Sequence, residues 1–181
     1  MGRNFKLSFW ILISGILVLI QGGCGKKGEK KPYEILTKTT QDMTLLYFEH
    51  TGPYDQIGSA FEQLAVYAAK KGITCNIVGI YLDDPEAVRA ESLQSEVGIV
   101  VPYGTLPDSG YTVQEISARK VVYAILKGPY EEIAKEYPYI MAWIGKKGYK
   151  MNAPMMEIYL EAGPNVPPAQ LVTEVQFPIE E

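Results

Sequence analysis

Gly52-Pro53-Tyr54-Asp55-Gln56-Ile57 returns as Gly128-Pro129-Tyr130-Glu131-Glu132-Ile133, 76 residues later. The flanks return with it. Leu45-Leu46-Tyr47 precedes the first copy as Val121-Val122-Tyr123 precedes the second, and Lys70-Lys71-Gly72 follows as Lys146-Lys147-Gly148 does. After a two-residue slip, Ile80-Tyr81-Leu82-Asp83 matches Ile158-Tyr159-Leu160-Glu161. Four blocks in one order at a nearly constant offset mark an internal duplication. One unit is used twice, and function is expected where the copies meet or differ.

Each copy reads as strand, helix, strand, strand. Residues 44–49 have the β-branched and aromatic content of a strand. Gly52-Pro53 then breaks the chain; proline suits a first helical turn, and Asp55 suits its positive end. Ile57, Phe61, Leu64 and Ala68 follow at helical spacing, with Ala60 and Ala65 widening the stripe. Lys70 and Lys71 complement the last turn, and Gly72 ends it. Residues 77–82 and 97–101 are strands, the first stopped by the turn Asp83-Asp84-Pro85. In the second copy residues 112–116 and 120–126 read as strand. A helix begins at Gly128-Pro129-Tyr130 and turns Ile133, Tyr137, Ile140, Met141 and Ile144 inward. Pro138 within it predicts a kink or a fresh first turn. Residues 155–160 and 171–177 are the closing strands. The fold class is α+β: two long helices on one face of an antiparallel sheet, in duplicated modules at about 33–102 and 111–180. The opposite face, or the seam between copies, is left as a groove.

The residues before the modules have another character. Arg3 and Lys6 precede a 14-residue, almost wholly apolar run at 7–20, too short for a comfortable membrane span and right for a signal-peptide core. Gly22 and Gly23 then lead to Cys24. The arrangement resembles a bacterial lipoprotein signal, with Gln21 standing where that motif usually has an apolar residue. It implies a signal peptide at 1–23, lipidation of Cys24, and a domain held on the cell envelope, facing the periplasm or exterior. An uncleaved N-terminal anchor is the alternative. Residues 24–32 are a polar, lysine-rich tether, and the domain occupies 33–181. The first 31 residues hold six lysines and arginines against one acid, so the total of −4 leaves −9 for residues 32–181. That balance suits solubility or cationic ligands and disfavours nucleic acid. Neither cysteine has a partner at ligand spacing, and His50 is the single histidine; no metal site or cofactor is expected.

Further blocks carry a family resemblance: Gly79-Ile80-Tyr81-Leu82-Asp83-Asp84-Pro85, Val97-Gly98-Ile99, Trp143-Ile144, Glu157-Ile158-Tyr159-Leu160 and Phe177-Pro178-Ile179. With the two Gly-Pro-Tyr stretches they resemble the GyrI-like small-molecule-binding domain, also called the AraC-type effector-binding domain, over about residues 33–180. The resemblance implies two modules about a pseudo-two-fold, and lipophilic, often cationic ligands bound between them. It also implies an acidic residue, on the strand at 155–160, that meets the ligand's charge. Many members carry DNA-binding helices. With export expected from the leader, a role in transcription or gyrase protection is not expected.

The copies break symmetry on that strand. Met155, Glu157 and Tyr159 share one face of it, as Gly79, Tyr81 and Asp83 do in the first copy. Tyr81 matches Tyr159, but Gly79 stands against Glu157. One copy leaves space where the other supplies a carboxylate, an arrangement suited to an organic cation through charge pairing and cation–π contact. The plainer alternative is a half-exposed strand glutamate beside a packing tyrosine. Trp143 on the second helix and the matched Tyr47 and Tyr123 are candidate pocket walls, or ordinary core. The expected ligand-binding set is Glu157, Tyr159, Tyr81, Gly79, Trp143, Tyr123 and Tyr47.

Three functions compete: a membrane-tethered binder of lipophilic cations; a hydrolase of electrophilic small molecules working through Glu157, with Tyr123 or Trp143 placing the substrate; and a haem or tetrapyrrole binder, as in the similarly duplicated SOUL-type domains, using His50. His50 reads otherwise as a surface or capping residue.

Overall fold

The two hydrophobic periods along the chain become strands and helices. The computed structural model describes residues 31–163 and 165–180. Its elements are β1 (Leu36–Thr39), β2 (Met43–Thr51), α1 (Gly58–Lys71), β3 (Ile77–Tyr81), β4 (Gln94–Val101), β5 (Thr112–Ile116), β6 (Lys120–Lys127), α2 (Tyr130–Ala134), α3 (Tyr137–Lys146), β7 (Lys150–Met151), β8 (Met155–Glu161) and β9 (Val172–Glu180). The signal segment, Cys24 and the tether up to residue 30 lie outside the described residues. Among the described residues no helix is long and apolar enough to cross a membrane.

All strand pairs are antiparallel, in the order β1-β6-β9-β8-β3-β4-β2-β5, with β7 added on β9. That order mirrors the duplication. The 76-residue offset carries β1 onto β5 and β2 onto β6; a 78-residue offset carries β3 onto β8 and β4 onto β9. β3 and β8 therefore meet at the pseudo-two-fold, and equivalent strands lie outward from it on either side. The first strand of each module crosses over: β1 pairs with β6, and β5 with β2. Where the two connections pass, the Thr40 amide donates to the Arg119 carbonyl at 2.9 Å. The hydrogen-bonded circuit thus returns to its start, and the sheet curls on itself. The sequence pattern predicts neither β1 nor β7. Both are too short for a period-2 signal, and Leu-Thr-Lys-Thr at β1 is legible only as the counterpart of β5.

The repeated glycines have a backbone cause. Gly52 and Gly128 have φ of 140° and 128°, a region that side chains with a Cβ disfavour. Their amides donate to the carbonyls of Leu93 at 2.9 Å and Leu171 at 3.0 Å, just before β4 and β9. Each Gly-Pro-Tyr turn is thereby tied to its own module's last strand.

Both helices lie on one face. Under α1, Ile57, Ala60, Leu64 and Ala68 pack on Leu46, Val97, Ile99 and Val101. Under α2 and α3, Ile133, Ile140 and Ile144 pack on Val122, Ala124, Val175 and Phe177. Burying each large aliphatic or aromatic side chain contributes about 1.5–3 kcal/mol. The alternate residues Leu45, Tyr47, Val78, Ile80 and Met156 make a third cluster on the sheet's other face. That face is therefore core and not groove, which leaves the seam. Two helix expectations are corrected. Ala65 is exposed, because Phe61 and Tyr67 flank the stripe instead. Met141 is 38% exposed, since it lies about 100° round the helix from buried Ile140. The second helix is two helices, and Pro138 sits in the first turn of α3. A proline there lacks only an amide that has no intrahelical acceptor.

Candidate functional site

β3 and β8 place three residues each beneath the helices: Ile77, Gly79 and Tyr81, and Met155, Glu157 and Tyr159. Gly79 and Glu157 are direct cross-strand partners at the seam. Glu157 is only 6% exposed. Three phenols surround its carboxylate. Tyr159 donates to Oε2 at 2.5 Å, Tyr81 lies 3.3 Å from the same oxygen, and Tyr137 donates to Oε1. The Tyr81 and Tyr159 hydroxyl oxygens are 2.7 Å apart. Each phenol has one proton. With the Tyr159 hydroxyl donating to Glu157, the Tyr81 hydroxyl is left to donate to the Tyr159 oxygen or to the carboxylate.

Gly79 is where these phenol heads come together. A Cβ there would meet the Tyr159 hydroxyl at 3.3 Å and the Tyr81 ring and hydroxyl at 3.4 Å. Around them stand more rings. Tyr54 meets Tyr81 edge to face at 4.8 Å, Tyr130 meets Tyr159 at 5.5 Å, and Phe61 lies 4.6 Å from Tyr159. These residues are pairs of the duplication: Tyr54 with Tyr130, Phe61 with Tyr137, Gly79 with Glu157, and Tyr81 with Tyr159. Two pairs agree and two differ. The differences add one hydroxyl and one carboxylate, both in the second module, and the two groups bond to each other.

Burial pushes the Glu157 carboxyl above the usual carboxylate range, against the pull of the three phenol donors, Tyr137 foremost. Burial, and then the negative charge of Glu157, hold the Tyr81, Tyr137 and Tyr159 phenols far above their ordinary value. Among the described residues no lysine or arginine forms an ion pair with Glu157.

The chain belongs to the GyrI-like small molecule binding domain family. Its model matches residues 32–180. The chain is 27% identical to a DNA gyrase inhibitor of Escherichia fergusonii over 138 residues, 72% of this chain and 88% of that protein. Among solved structures, the C-terminal domain of EcmrR superposes with a TM-score of 0.66 at 22% identity, over 83% of this chain and 99% of that domain. EcmrR in its DNA complex gives 0.69 at 22% identity over 82% of this chain, which spans 58% of that protein. SAV2435 bound to tetraphenylphosphonium gives 0.52 at 12% identity, over 81% and 94% of the two chains. These structures share the fold, and the chain carries a small-molecule-binding domain.

Of the expected set, Glu157, Tyr159, Tyr81 and Gly79 come together, and three residues do not join them. Tyr47 and Tyr123 lie on the other face of the sheet, because alternation points Leu46 and Val122 at the helices. Tyr47 joins the third core, and Tyr123 sits under Lys38 Nζ at 4.4 Å. Trp143 packs on the second module's core with Lys147 Nζ 5.3 Å from its ring, as Lys71 Nζ lies 5.7 Å from Tyr67 one repeat earlier. His50 is half-buried with Nε2 turned in beside Gly52, not on the surface, since it continues the helix-facing parity of Leu46 and Phe48. Asp83 and Asp84 accept the amides of Gln94 and Glu86 as turn residues. Tyr137, Tyr54, Tyr130 and Phe61 are the site residues that sequence reasoning missed. The repeat offset alone pairs Phe61 with Tyr137, and the two Gly-Pro-Tyr tyrosines with each other.

Proposed function

We propose that the protein is a membrane-tethered module that captures lipophilic organic cations, with Glu157 as their counter-ion. The observation that carries this reading is a buried carboxyl with no cation beside it among the described residues. A desolvated carboxylate is unfavourable by several kcal/mol unless it is paired. In the free protein the three phenol donors offset part of that cost; in the complex the ligand's charge offsets the rest. Rings of Tyr54, Phe61 and Tyr130 supply cation–π faces and apolar wall. Tyr137, at the start of α3, covers Oε1 and must move for a cation to arrive.

Tetraphenylphosphonium, the cation bound by SAV2435, is a suitable probe. Calorimetric titration is expected to show binding to the wild-type chain and a loss of about 100-fold or more with Glu157→Gln, in keeping with removal of a buried charge partner. Equal affinity for both proteins would refute the reading. The envelope tether rests on the apolar run at 7–20 and on Cys24. Membrane fractionation is expected to find the wild-type chain with the membranes and Cys24→Ser largely released. A Cys24→Ser protein that stays bound would instead favour an uncleaved anchor.

A further inference from the structure

A second carboxylate–phenol contact stands directly behind Tyr137. Tyr33 precedes β1, and because β1 crosses over to pair with β6, Tyr33 packs on the second module's core. Its hydroxyl donates to Glu136. Glu136 immediately precedes α3, and the next residue is Tyr137, the donor to Glu157 Oε1. Burial, and then Glu136 itself, raise the Tyr33 phenol above its ordinary value, so it remains a donor through the neutral range. The backbone is weakly tied at this place. The Glu136 side chain does not cap α3. Pro138 has no amide to give the carbonyl of Ala134, four residues earlier. The Glu136 amide reaches back only to Ile133, at 2.9 Å. The helical ladder is thus interrupted between α2 and α3, and a chain bends most readily at such a break. The Tyr137 ring meets buried Phe177 edge to face at 6.1 Å and packs on the second core. Close packing resists a swing of that side chain alone, so uncovering Oε1 moves the junction, and Glu136 with it.

The first module has none of these features. At the 76-residue offset the counterparts of Tyr33, Glu136 and Tyr137 are Ser109, Ala60 and Phe61. The helix α1 runs unbroken from Gly58 to Lys71 across the last two. Phenol, acceptor, helix break and covering hydroxyl therefore occur together, and only in the module that carries the buried carboxyl. We propose that Tyr33 and Glu136 are positioning residues that form a latch: their hydrogen bond holds the α2–α3 junction closed over Glu157 and parts before a cation reaches the carboxyl. The inference rests on the reading of Glu157 as counter-ion. The latch exists in the free protein and is broken in the complex. It lowers the fraction of molecules competent to bind, and the apparent affinity falls by the same factor. Affinity is thus given up for a site that stays shut until a cation arrives.

The test measures association and dissociation of tetraphenylphosphonium by rapid mixing with the full-length chain. Tyr33→Phe keeps the packed ring and removes only the donor. It is expected to bind about threefold to tenfold tighter than wild type, the size of one net hydrogen bond. The gain should appear in the association rate, with dissociation changed by less than about twofold. Glu136→Ala is expected to give a similar gain, and the double variant no more than either single one, because both remove one bond. Glu136→Gln, which keeps an acceptor for the phenol, should lie nearer wild type. A merely structural bond would lower the thermal midpoint of Tyr33→Phe and leave the association rate alone; that result, weaker binding in Tyr33→Phe, or single effects that add in the double variant would each overturn the latch and leave the counter-ion reading standing. No binding to wild type, or binding undiminished in Glu157→Gln, would overturn the counter-ion reading and the latch with it.

Discussion

The two modules face each other across β3 and β8 with nearly the same side chains. Tyr54 against Tyr81 in one is Tyr130 against Tyr159 in the other. The first module then has Phe61 and Gly79 where the second has Tyr137 and Glu157. A strictly symmetric seam would be either two glycines under aromatic rings or two carboxylates facing each other. The first has no charge to recognise a cation. The second would set like charges side by side in a dry place. One glycine and one glutamate give a single negative centre, with the space opposite it filled by phenol heads. Duplication built the walls, and divergence at two positions made the buried carboxyl and its Tyr137 donor.

That comparison can be broken where the copies agree. Ile99 and Phe177 are equivalent core residues, 1% and 0% exposed. Ile99→Ala is expected to cost about 2–5 kcal/mol and Phe177→Ala about 3–5 kcal/mol. Chemical denaturation should show one cooperative transition in both variants, because β1 and β5 stitch the modules together. Two separate transitions would show modules that fold independently. Where the copies differ, the effects should be smaller and one-sided. Tyr137→Phe removes a donor that its counterpart Phe61 never had. It is expected to raise the carboxyl's pKa further and to weaken cation binding near neutral pH by about tenfold, with stability changed by about 1 kcal/mol. A variant that binds as well as wild type would show that Tyr137 is only a wall.

Much of this was legible in the sequence. The repeat offset predicts two strand–helix–strand–strand modules, and Pro138 marks the fresh start of α3. The repeat offset sets Gly79 against Glu157 and alternation gives each its face, while their pairing across the seam is a long-range contact that sequence pattern does not carry. The edge strand β1 is hidden because four residues carry too little pattern. Tyr47 and Tyr123 mislead because a matched aromatic pair says nothing about which face of the sheet it occupies. Their even-numbered neighbours Leu46 and Val122 decide that, through contact with helices far away in sequence. Tyr137 is missed for a related reason: inward-facing on a helix describes core and site equally well. The repeated Gly-Pro-Tyr has two parts to play. Its glycine fixes a turn, and its tyrosine returns to the site as a ring against Tyr81 or Tyr159.

The protonation of Glu157 joins these observations. Burial raises its folded pKa above the unfolded value. The stability this contributes is fully present below the unfolded pKa and is lost as pH rises through the folded pKa. A bound cation reverses the balance by favouring the charged form, so binding should release a proton and weaken as the solution is acidified. The direct measurement is a carbon-detected NMR titration of the Glu157 side-chain carboxyl, with and without saturating tetraphenylphosphonium. The account predicts a pKa above that of an ordinary glutamate in the free protein and a marked fall in the complex. An ordinary pKa that the cation leaves unmoved would contradict it.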